Sequence, residues 1–336
     1  MSSTVSRTRF IVSLYLASSP YFLFPIAQRL QKSIGTTIRM KPAAEIEIDK
    51  ALVLRLLKEQ HPHLSNLPLT YIDSGWDNVI YRLGELCLRF PRRAVAAKLI
   101  ENEQNWLPHL KQSLTLPAPI PKRIGYPTAY YPWRWSILPW LNGVSAEIEL
   151  THSSQAKVLG FFLKSLHCAT SPDNAPINPV RGIPLKEKAA AIKQRIDSVA
   201  SKAKISPQIA EIWHYVIEIP IDTDPCWLHG DLHPGNVLIR DGKIAGIIDW
   251  GDLTSGDVAT DLAAIWMLFE DKLAREKAIA KYGKISQATW YRSIGWAIHF
   301  ATILLDVGLD SNPKQAAVGK RTLRCVMEDW QANHKA

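Results

Sequence analysis

One stretch constrains this chain more than any other: Trp227 to Asp252, WLHGDLHPGNVLIRDGKIAGIIDWGD. Val237–Arg240 and Lys243–Ile248 are rich in β-branched residues and flank Asp241-Gly242, a dipeptide that supplies the positive φ angles of a two-residue hairpin turn. Closing that hairpin brings its outer ends together, so Asp231 and Asn236 before it approach Asp249 after it. Three side chains with oxygen donors then converge at the mouth of a rigid strand pair. A hard cation such as Mg²⁺ takes a site of that kind, filling its remaining positions with water and phosphate.

The rest of the chain is long enough to carry such a site on a sizeable core. It has 336 residues, 47% of them hydrophobic, which suits one large domain or two of ordinary size. Its 21% charged residues are mixed with Trp, Leu and Ile throughout, which excludes a disordered or fibrous chain. Cys87, Cys168, Cys226 and Cys325 are scattered without a CxxC pair, so neither a disulfide scaffold nor a zinc ribbon fits. Reduced thiols and a cytoplasmic location are the expectation. The net charge of +9 owes much to Arg7, Arg9, Arg29, Lys32 and Arg39; no acidic residue precedes Glu45, and without residues 1–39 the sum falls to +4. No basic stripe marks the remainder, and no nucleic-acid partner is expected.

Residues 1–39 form an extension of a different character. Phe10 to Ala27 is uncharged, lies between basic flanks and contains Pro20 and Pro25. Three readings stand: upstream sequence with Met40 as the real start, a targeting peptide, or a peripheral membrane anchor. Membrane contact is expected only if residues 10–27 are retained.

From Glu45 onward the pattern is globular. Ile48 to Leu57 has the apolar spacing of a short helix, and Val79–Leu83 and Leu86–Phe90 read as strands joined by Gly84-Glu85. Ala94 to Leu107 is helical in composition, with Pro108 near its end; a strand pair follows around Ile124 and Trp135–Trp140. Helices are expected at 153–168, 185–203, 257–270 and 290–305, the last one buried. The fold class is α+β: a small sheet-plus-helix lobe over 40–141, a hinge at Asn142-Gly143, and a larger, mostly helical lobe over 142–336.

The spacing of the central run carries a resemblance. Asp231 is followed by four residues and then Asn236, as in the protein-kinase catalytic loop, and Asp249 follows a strand where kinases place a metal-binding aspartate. With His229-Gly230-Asp231, Asn236, Ile248-Asp249-Trp250 and Asp261-Leu262-Ala263 all present, the chain resembles the aminoglycoside phosphotransferase family, whose fold is protein-kinase-like. The resemblance is strong over 227–263 and looser over about 45–330. It implies transfer of the γ-phosphoryl group of ATP or GTP, with Mg²⁺, to a hydroxyl of a small acceptor such as an aminoglycoside or a macrolide, with antibiotic resistance as one expected role. Asp231 would be the catalytic base and His229 its loop partner; Asn236 and Asp249 would hold Mg²⁺; Asp261 would accept hydrogen bonds from the catalytic-loop backbone. In the amino-terminal half, Gly75 to Asn78 falls where the family's phosphate-covering turn precedes its strand. Arg89 falls at the position of the kinase strand lysine and Glu103 at that of its helix partner. Arg for Lys is a departure, a planar fork in place of a point charge. Arg92 and Arg93 are rivals for Arg89, though after Pro91 they read as a solvated face; Glu101 is the rival for Glu103.

Two other classes compete with this reading. His229-x-Asp231-x-His233 resembles part of a metal-dependent phosphoester hydrolase, but no D-x-H lies upstream and no G-N-H downstream. A non-catalytic kinase-like binding protein would have no chemical need for three spaced oxygen ligands. Trp133, Trp135 and Trp140 suggest an aromatic pocket, whereas Trp266, Trp290, Trp296 and Trp330 suggest core. The acceptor is the least defined part. Residues 151–336 hold 22 Lys+Arg against 20 Asp+Glu, so that half is no acidic sink for a polycation. Glu270-Asp271, Asp306 and Asp310 are candidates for a local acidic pocket but read better as solvated helix ends.

Overall fold

The structure is a computed structural model that describes residues 42–169 and 173–334. The expectations for residues 1–39, including the apolar 10–27 segment, lie outside the described residues. The chain divides into two compact units, at Glu101/Asn102, Ile120/Pro121 and Pro139/Trp140.

The first unit is a five-stranded antiparallel sheet with one whole helix and the amino-terminal part of a second. Helix α1 (Lys50–Gln60) starts at Asp49, whose carboxylate accepts from the Leu52 amide at 2.8 Å and satisfies a donor the helix cannot. Strands β1 (Leu69–Ser74), β2 (Asn78–Leu83) and β3 (Leu86–Pro91) follow, then helix α2 (Ala94–Leu110), β4 (Arg123–Gly125) and β5 (Trp135–Pro139). The sheet order is β1-β2-β3-β5-β4. Gly84-Glu85 forms the β2–β3 turn with Gly84 at φ +58°, as the sequence indicates. β1 is an edge strand that exposes most of its side chains, and so lacks the alternation that would mark it in the sequence. The core joins Val53, Leu56 and Leu57 of α1 to Tyr81, Leu88, Phe90 and Ile137 of the sheet.

Trp135 belongs to that core rather than to a pocket. It is fully buried and stacks on Phe90 with ring centres 4.8 Å apart. Gly125 on β4 lies against it so closely that a Cβ would stand 1.8 Å from the indole, so only glycine fits opposite this ring.

The second unit is mainly helical: β6 (Val144–Ser145), α3 (Ala156–His167), α4 (Ala189–Ala203), α5 (Gln208–Val216), β7 (Cys226–Leu228), β8 (Val237–Arg240), β9 (Lys243–Ile247), β10 (Thr254–Gly256), α6 (Ala259–Leu262), α7 (Ala264–Leu268), α8 (Lys272–Tyr282), α9 (Gln287–Ser311) and α10 (Pro313–His334). The single helix expected over 257–270 is broken in two. At Ala263 the bonding tightens from four residues to three, with the Trp266 amide on the Ala263 carbonyl at 3.2 Å. α9 is long and apolar enough to cross a membrane by length and composition, yet most of it is buried among the other helices. Two buried ion pairs tie it and α10 down: Arg292 on Asp257 at 2.8 Å, and Arg275 on Asp329 at 2.7 Å.

Asp306 corrects the expectation of a solvated helix end. It sits inside α9, buried, and faces Arg195 at 3.6 Å and Lys202 at 3.3 Å, because α4 packs along that stretch. Asp310 and Glu270-Asp271 are exposed, and Asp271 caps α8 through the Leu273 amide.

Candidate active site

The hairpin forms as its sequence dictates. β8 pairs with β9, and Asp241 and Gly242 both adopt positive φ, +54° and +69°, the pair of values a two-residue turn of this hand needs. At its open end the Ile248 amide donates to the Asn236 carbonyl at 2.9 Å, which puts Asn236 and the residue before Asp249 side by side.

Asp249 itself is left-handed, φ +63° and ψ +65°, an uncommon conformation for a residue with a side chain. The backbone on both sides is held. The Trp250 amide donates to Glu103 Oε2 at 3.1 Å, and the Trp250 indole donates to the Ile247 carbonyl at 3.0 Å. Asn102 donates through Nδ2 to the carbonyls of Gly251 (2.9 Å) and Leu253 (2.8 Å). The middle of α2 therefore clamps the turn that carries Asp249. Glu103 is fully buried in this role, whereas its rival Glu101 is exposed.

The loop before the hairpin is held from the opposite side. Asp261, fully buried, accepts from the His229 amide at 2.7 Å and from the Gly230 amide at 2.9 Å. This is the role the sequence suggests for it, in place of an ordinary first-turn helix carboxylate. His167, itself bonded to the Tyr282 hydroxyl, backs Asp261 at 3.5 Å. His229 is fully buried and both ring nitrogens are occupied: Nε2 donates to the Ile248 carbonyl at 3.0 Å and Nδ1 accepts from the Asp231 amide at 3.3 Å. That is the geometry of a positioning residue. Gly230 turns the chain at φ +83°, and a Cβ there would meet the Asp252 carbonyl oxygen at 2.5 Å. Gly230→Ala is expected to cost roughly 2–4 kcal/mol through strain and clash together. Thermal denaturation beside a turnover assay checks this, and a stable, fully active variant would contradict the loop geometry.

Asp231 is the focus of these restraints. Arg181 reaches its Oδ1 at 2.7 Å, His233 lies 3.5 Å from Oδ2, and Asn236 donates to its backbone carbonyl at 2.9 Å. Burial alone would raise this carboxyl; the Arg181 guanidinium and the His233 ring overcome it and hold the group well below the usual carboxylate range. In return His233, which burial would lower, is raised by Asp231, with Glu147 and Asp249 adding to the effect. Asp252 is pushed up to about 6, first by burial; Arg181 opposes the rise, and Asp231 and Asp249 add to it. Arg181, Glu147 and Asp252 have no spacing signature in the sequence: Arg181 stands alone in NPVRGIP. In the sequence His233 stands out only through the pattern His229-x-Asp231-x-His233.

In the first unit, Gly75 to Asn78 forms a closed turn, with the Gly75 amide on the Asn78 carbonyl at 2.8 Å. Asn78 is buried, and its Oδ1 has no hydrogen-bond partner among the described residues. Arg92 and Arg93 are not a solvated face. Both are buried because they fasten this turn: Arg92 donates to the Gly75 carbonyl at 3.2 Å, and Arg93 pairs with Asp77 at 2.5 Å. Arg89 is buried on β3, opposite Ile80 of β2 and Ser136 of β5. It belongs to the first unit and Glu103 to the second.

The donor set at the hairpin mouth suits Mg²⁺. Asn236 spends its Nδ2 on the Asp231 carbonyl, so its Oδ1 faces away, with no hydrogen bond from a described residue. Among the described residues no group of three or more His, Cys, Asp or Glu side chains forms a metal cage. A Mg²⁺ ion needs no such cage, because it keeps water and takes substrate phosphate oxygens in most of its positions.

Comparison with known proteins gives this geometry a family. An aminoglycoside 3'-phosphotransferase of Escherichia coli is 36% identical over 78 residues, 23% of this chain and 28% of that protein. Stress response kinase A of Salmonella choleraesuis is 26% identical over 219 residues, 59% of this chain and 61% of that protein. The chain thus spans from about a quarter to three-fifths of the length of these curated relatives. Among solved structures, the GDP complex of aminoglycoside 2'-phosphotransferase-IIIa superposes with a TM-score of 0.60 at 17% identity, covering 85% of this chain and all of that one. A macrolide 2'-phosphotransferase from Brachybacterium faecium gives 0.55 at 19% identity, covering 82% and 97%. These likenesses show the α+β, two-lobed, kinase-like fold. The phosphotransferase enzyme family matches residues 68–293, two-thirds of the chain, and the protein belongs to that family.

Proposed function

We propose that the protein transfers the γ-phosphoryl group of ATP or GTP, with Mg²⁺, to a hydroxyl of a small molecule. The observation that carries this reading is the clamped loop: Asp261 grips the backbone on one side of Asp231, and Asn236 is bonded to it on the other. Neighbours solved with GDP and with ATP support a nucleotide donor.

Asp231 receives the acceptor hydroxyl. Its depressed carboxyl makes it a weak base, which suits a reaction whose transition state is loose and in which the proton leaves late. The hydroxyl oxygen forms a bond to the γ-phosphorus, the bond from that phosphorus to the β,γ-bridging oxygen breaks, and the nucleoside diphosphate departs with the electron pair. The proton passes to Asp231 and on to water. Asn236 and Asp249 would hold Mg²⁺, which when bound neutralises phosphate charge that otherwise repels the incoming oxygen. His229 and Glu103 act on the backbone, keeping Asp231 and Asp249 in place. In the first unit the Gly75–Asn78 turn, with the Asn78 oxygen, and Arg89 are the proposed nucleotide contacts.

The test is turnover of Mg-ATP and Mg-GTP by the full chain, with mass spectrometry of each acceptor offered. Aminoglycosides and macrolides come first because structural neighbours are named for them. A relative named as a serine/threonine protein kinase justifies adding a protein acceptor. EDTA is expected to abolish turnover and added Mg²⁺ to restore it. A folded protein that binds neither nucleotide would overturn the reading, and phosphoester hydrolysis restored only by Zn²⁺ would favour the hydrolase.

A further inference from the structure

The clamps on the Asp231 loop act on backbone groups, so they fix where Asp231 sits and not which way its carboxylate faces. The last torsion of an aspartate side chain is soft, and something else must set it. Three side-chain nitrogens stand within 3.5 Å of this carboxylate. Arg181 Nη2 donates to Oδ1 at 2.7 Å, a short charge-assisted bond. His233 Nε2 and Asn236 Nδ2 are each 3.5 Å from Oδ2, beyond the usual length of a hydrogen bond. Oδ1 is therefore engaged, and Oδ2, on the Asn236 side, keeps the capacity to accept from an incoming hydroxyl.

The way Arg181 grips differs from that of the other buried arginines of this unit. Arg275 and Arg292 each donate through two nitrogens to one carboxylate and so occupy both of its oxygens. Arg181 takes one oxygen of Asp231 and leaves the other.

Arg181 is delivered by a strap, Pro176–Gly182, bonded repeatedly to the chain that follows Asp249. The Pro176 carbonyl accepts from the Ser255 amide at 2.9 Å and from the Thr254 hydroxyl at 2.9 Å. The Asn178 amide donates to Thr254 Oγ1 at 2.8 Å, its Nδ2 donates to Asp252 Oδ1 at 2.7 Å, and its Oδ1 accepts from the Val180 amide at 2.9 Å. At the far end the Gly182 carbonyl accepts from the Asp257 amide at 3.0 Å, and the Gly182 amide donates to Thr260 Oγ1 at 3.2 Å. Gly182 has φ +67°, and a Cβ on it would stand 3.0 Å from the Gly256 Cα. The chain then enters the short Leu185–Lys188 turn, closed by the buried Lys188, which lies against α9 at Gly295; a Cβ there would meet Leu185 Cδ1 at 2.4 Å. Arg181 itself is 2% exposed, its guanidinium carbon 5.2 Å from the centre of the Phe300 ring on α9.

We propose that Arg181 is a positioning residue for phosphoryl transfer: by holding Oδ1 it turns the Asp231 carboxylate so that Oδ2 meets the acceptor hydroxyl. The inference rests on the phosphotransfer reading and adds to it the oxygen that takes the proton and the strap that aims it. The hydroxyl proton goes to Oδ2, and the bonds made and broken at phosphorus are those of the transfer itself. The effect is one of orientation, where a misplacement of about 1 Å can cost roughly a hundredfold in rate.

The test is turnover of Mg-ATP and Mg-GTP by the full chain, with kanamycin or water as the acceptor, reading kcat apart from nucleotide Kd. Arg181→Met is expected to lower kcat by about tenfold to a hundredfold and to leave nucleotide Kd unchanged. Arg181→Lys keeps the buried charge, and with it the fold; its kcat should fall between, because an ammonium is a point charge without the directed fork. Asn178→Ala, which loosens the strap away from Asp231, should lower kcat severalfold by the same route. In an Asp231→Asn background Arg181→Met should lower turnover no further, whereas an arginine that only held the fold would lower it by the same factor in both. The proposal is overturned if folded Arg181→Met and Arg181→Lys proteins keep the parent's kcat, or if the loss is the same in both backgrounds. A parent that turns nucleotide over while either of these results holds sinks this inference alone. A folded parent that binds neither nucleotide overturns the phosphotransfer reading and the role of Arg181 with it.

Discussion

An Asp231→Asn protein is expected to keep its affinity for Mg-nucleotide while its turnover falls by about 10²–10⁴, the usual contribution of a positioned acid–base group. The same substitution has a cost in stability. It leaves the Arg181 guanidinium, nearly inaccessible to water, opposite an uncharged amide at a distance set for an ion pair of 2.7 Å. Breaking one side of a buried pair costs about 3–5 kcal/mol, and the amide oxygen, still able to accept, places this case towards the lower end. The double variant Asp231→Asn/Arg181→Met separates the two effects. It should regain stability in urea unfolding and regain no turnover, the non-additive signature of a coupled pair. If Asp231→Asn alone is as stable and as active as the parent, Asp231 is neither the base nor the partner of Arg181.

Asp261→Ala is the second large effect, and here stability leads. The alanine removes the acceptor for the His229 and Gly230 amides together, beside a side chain that is fully buried. Each buried donor left open costs about 1–3 kcal/mol, so the loss is roughly 2–6 kcal/mol, a large part of the stability a domain possesses. Asp261→Asn keeps one oxygen and should fall between alanine and parent. Hydrogen exchange gives the sharper readout: the His229 and Gly230 amides should exchange faster in Asp261→Asn than in the parent. Unchanged exchange there would show that the loop is held by other means.

The sequence reports some of these features far better than others, for physical reasons. The hairpin was legible because Asp241-Gly242 allows few conformations, and once it closes, Asn236 and Asp249 have nowhere else to go. Asp261 was legible through its place in the family pattern. Arg181 was not, since it reaches Asp231 from 50 residues away out of a loop with no periodicity. Lys188 and Arg195 look like solvated helix charges in a chain that has many, and only packing of α4 and the Leu185–Lys188 turn against α9 buries them. Arg92 and Arg93 read as a solvated face for the same reason: a proline beforehand says where a strand stops, not which way the next two side chains fold back. β1 escaped because an edge strand with exposed side chains has no alternation to read, and Trp135 because a tryptophan's surroundings are set by residues distant in sequence.

The clamps on Asp249 and on the Asp231 loop share a property with practical weight. Asp261 and Asn102 hold backbone groups, and Glu103 does the same at Trp250. The residues proposed for phosphoryl transfer are thus placed chiefly through their backbone. Random substitution at 102–103, 229–231 and 249–261 should therefore yield mostly unfolded or inactive clones, because each position there supports backbone that several other groups depend on.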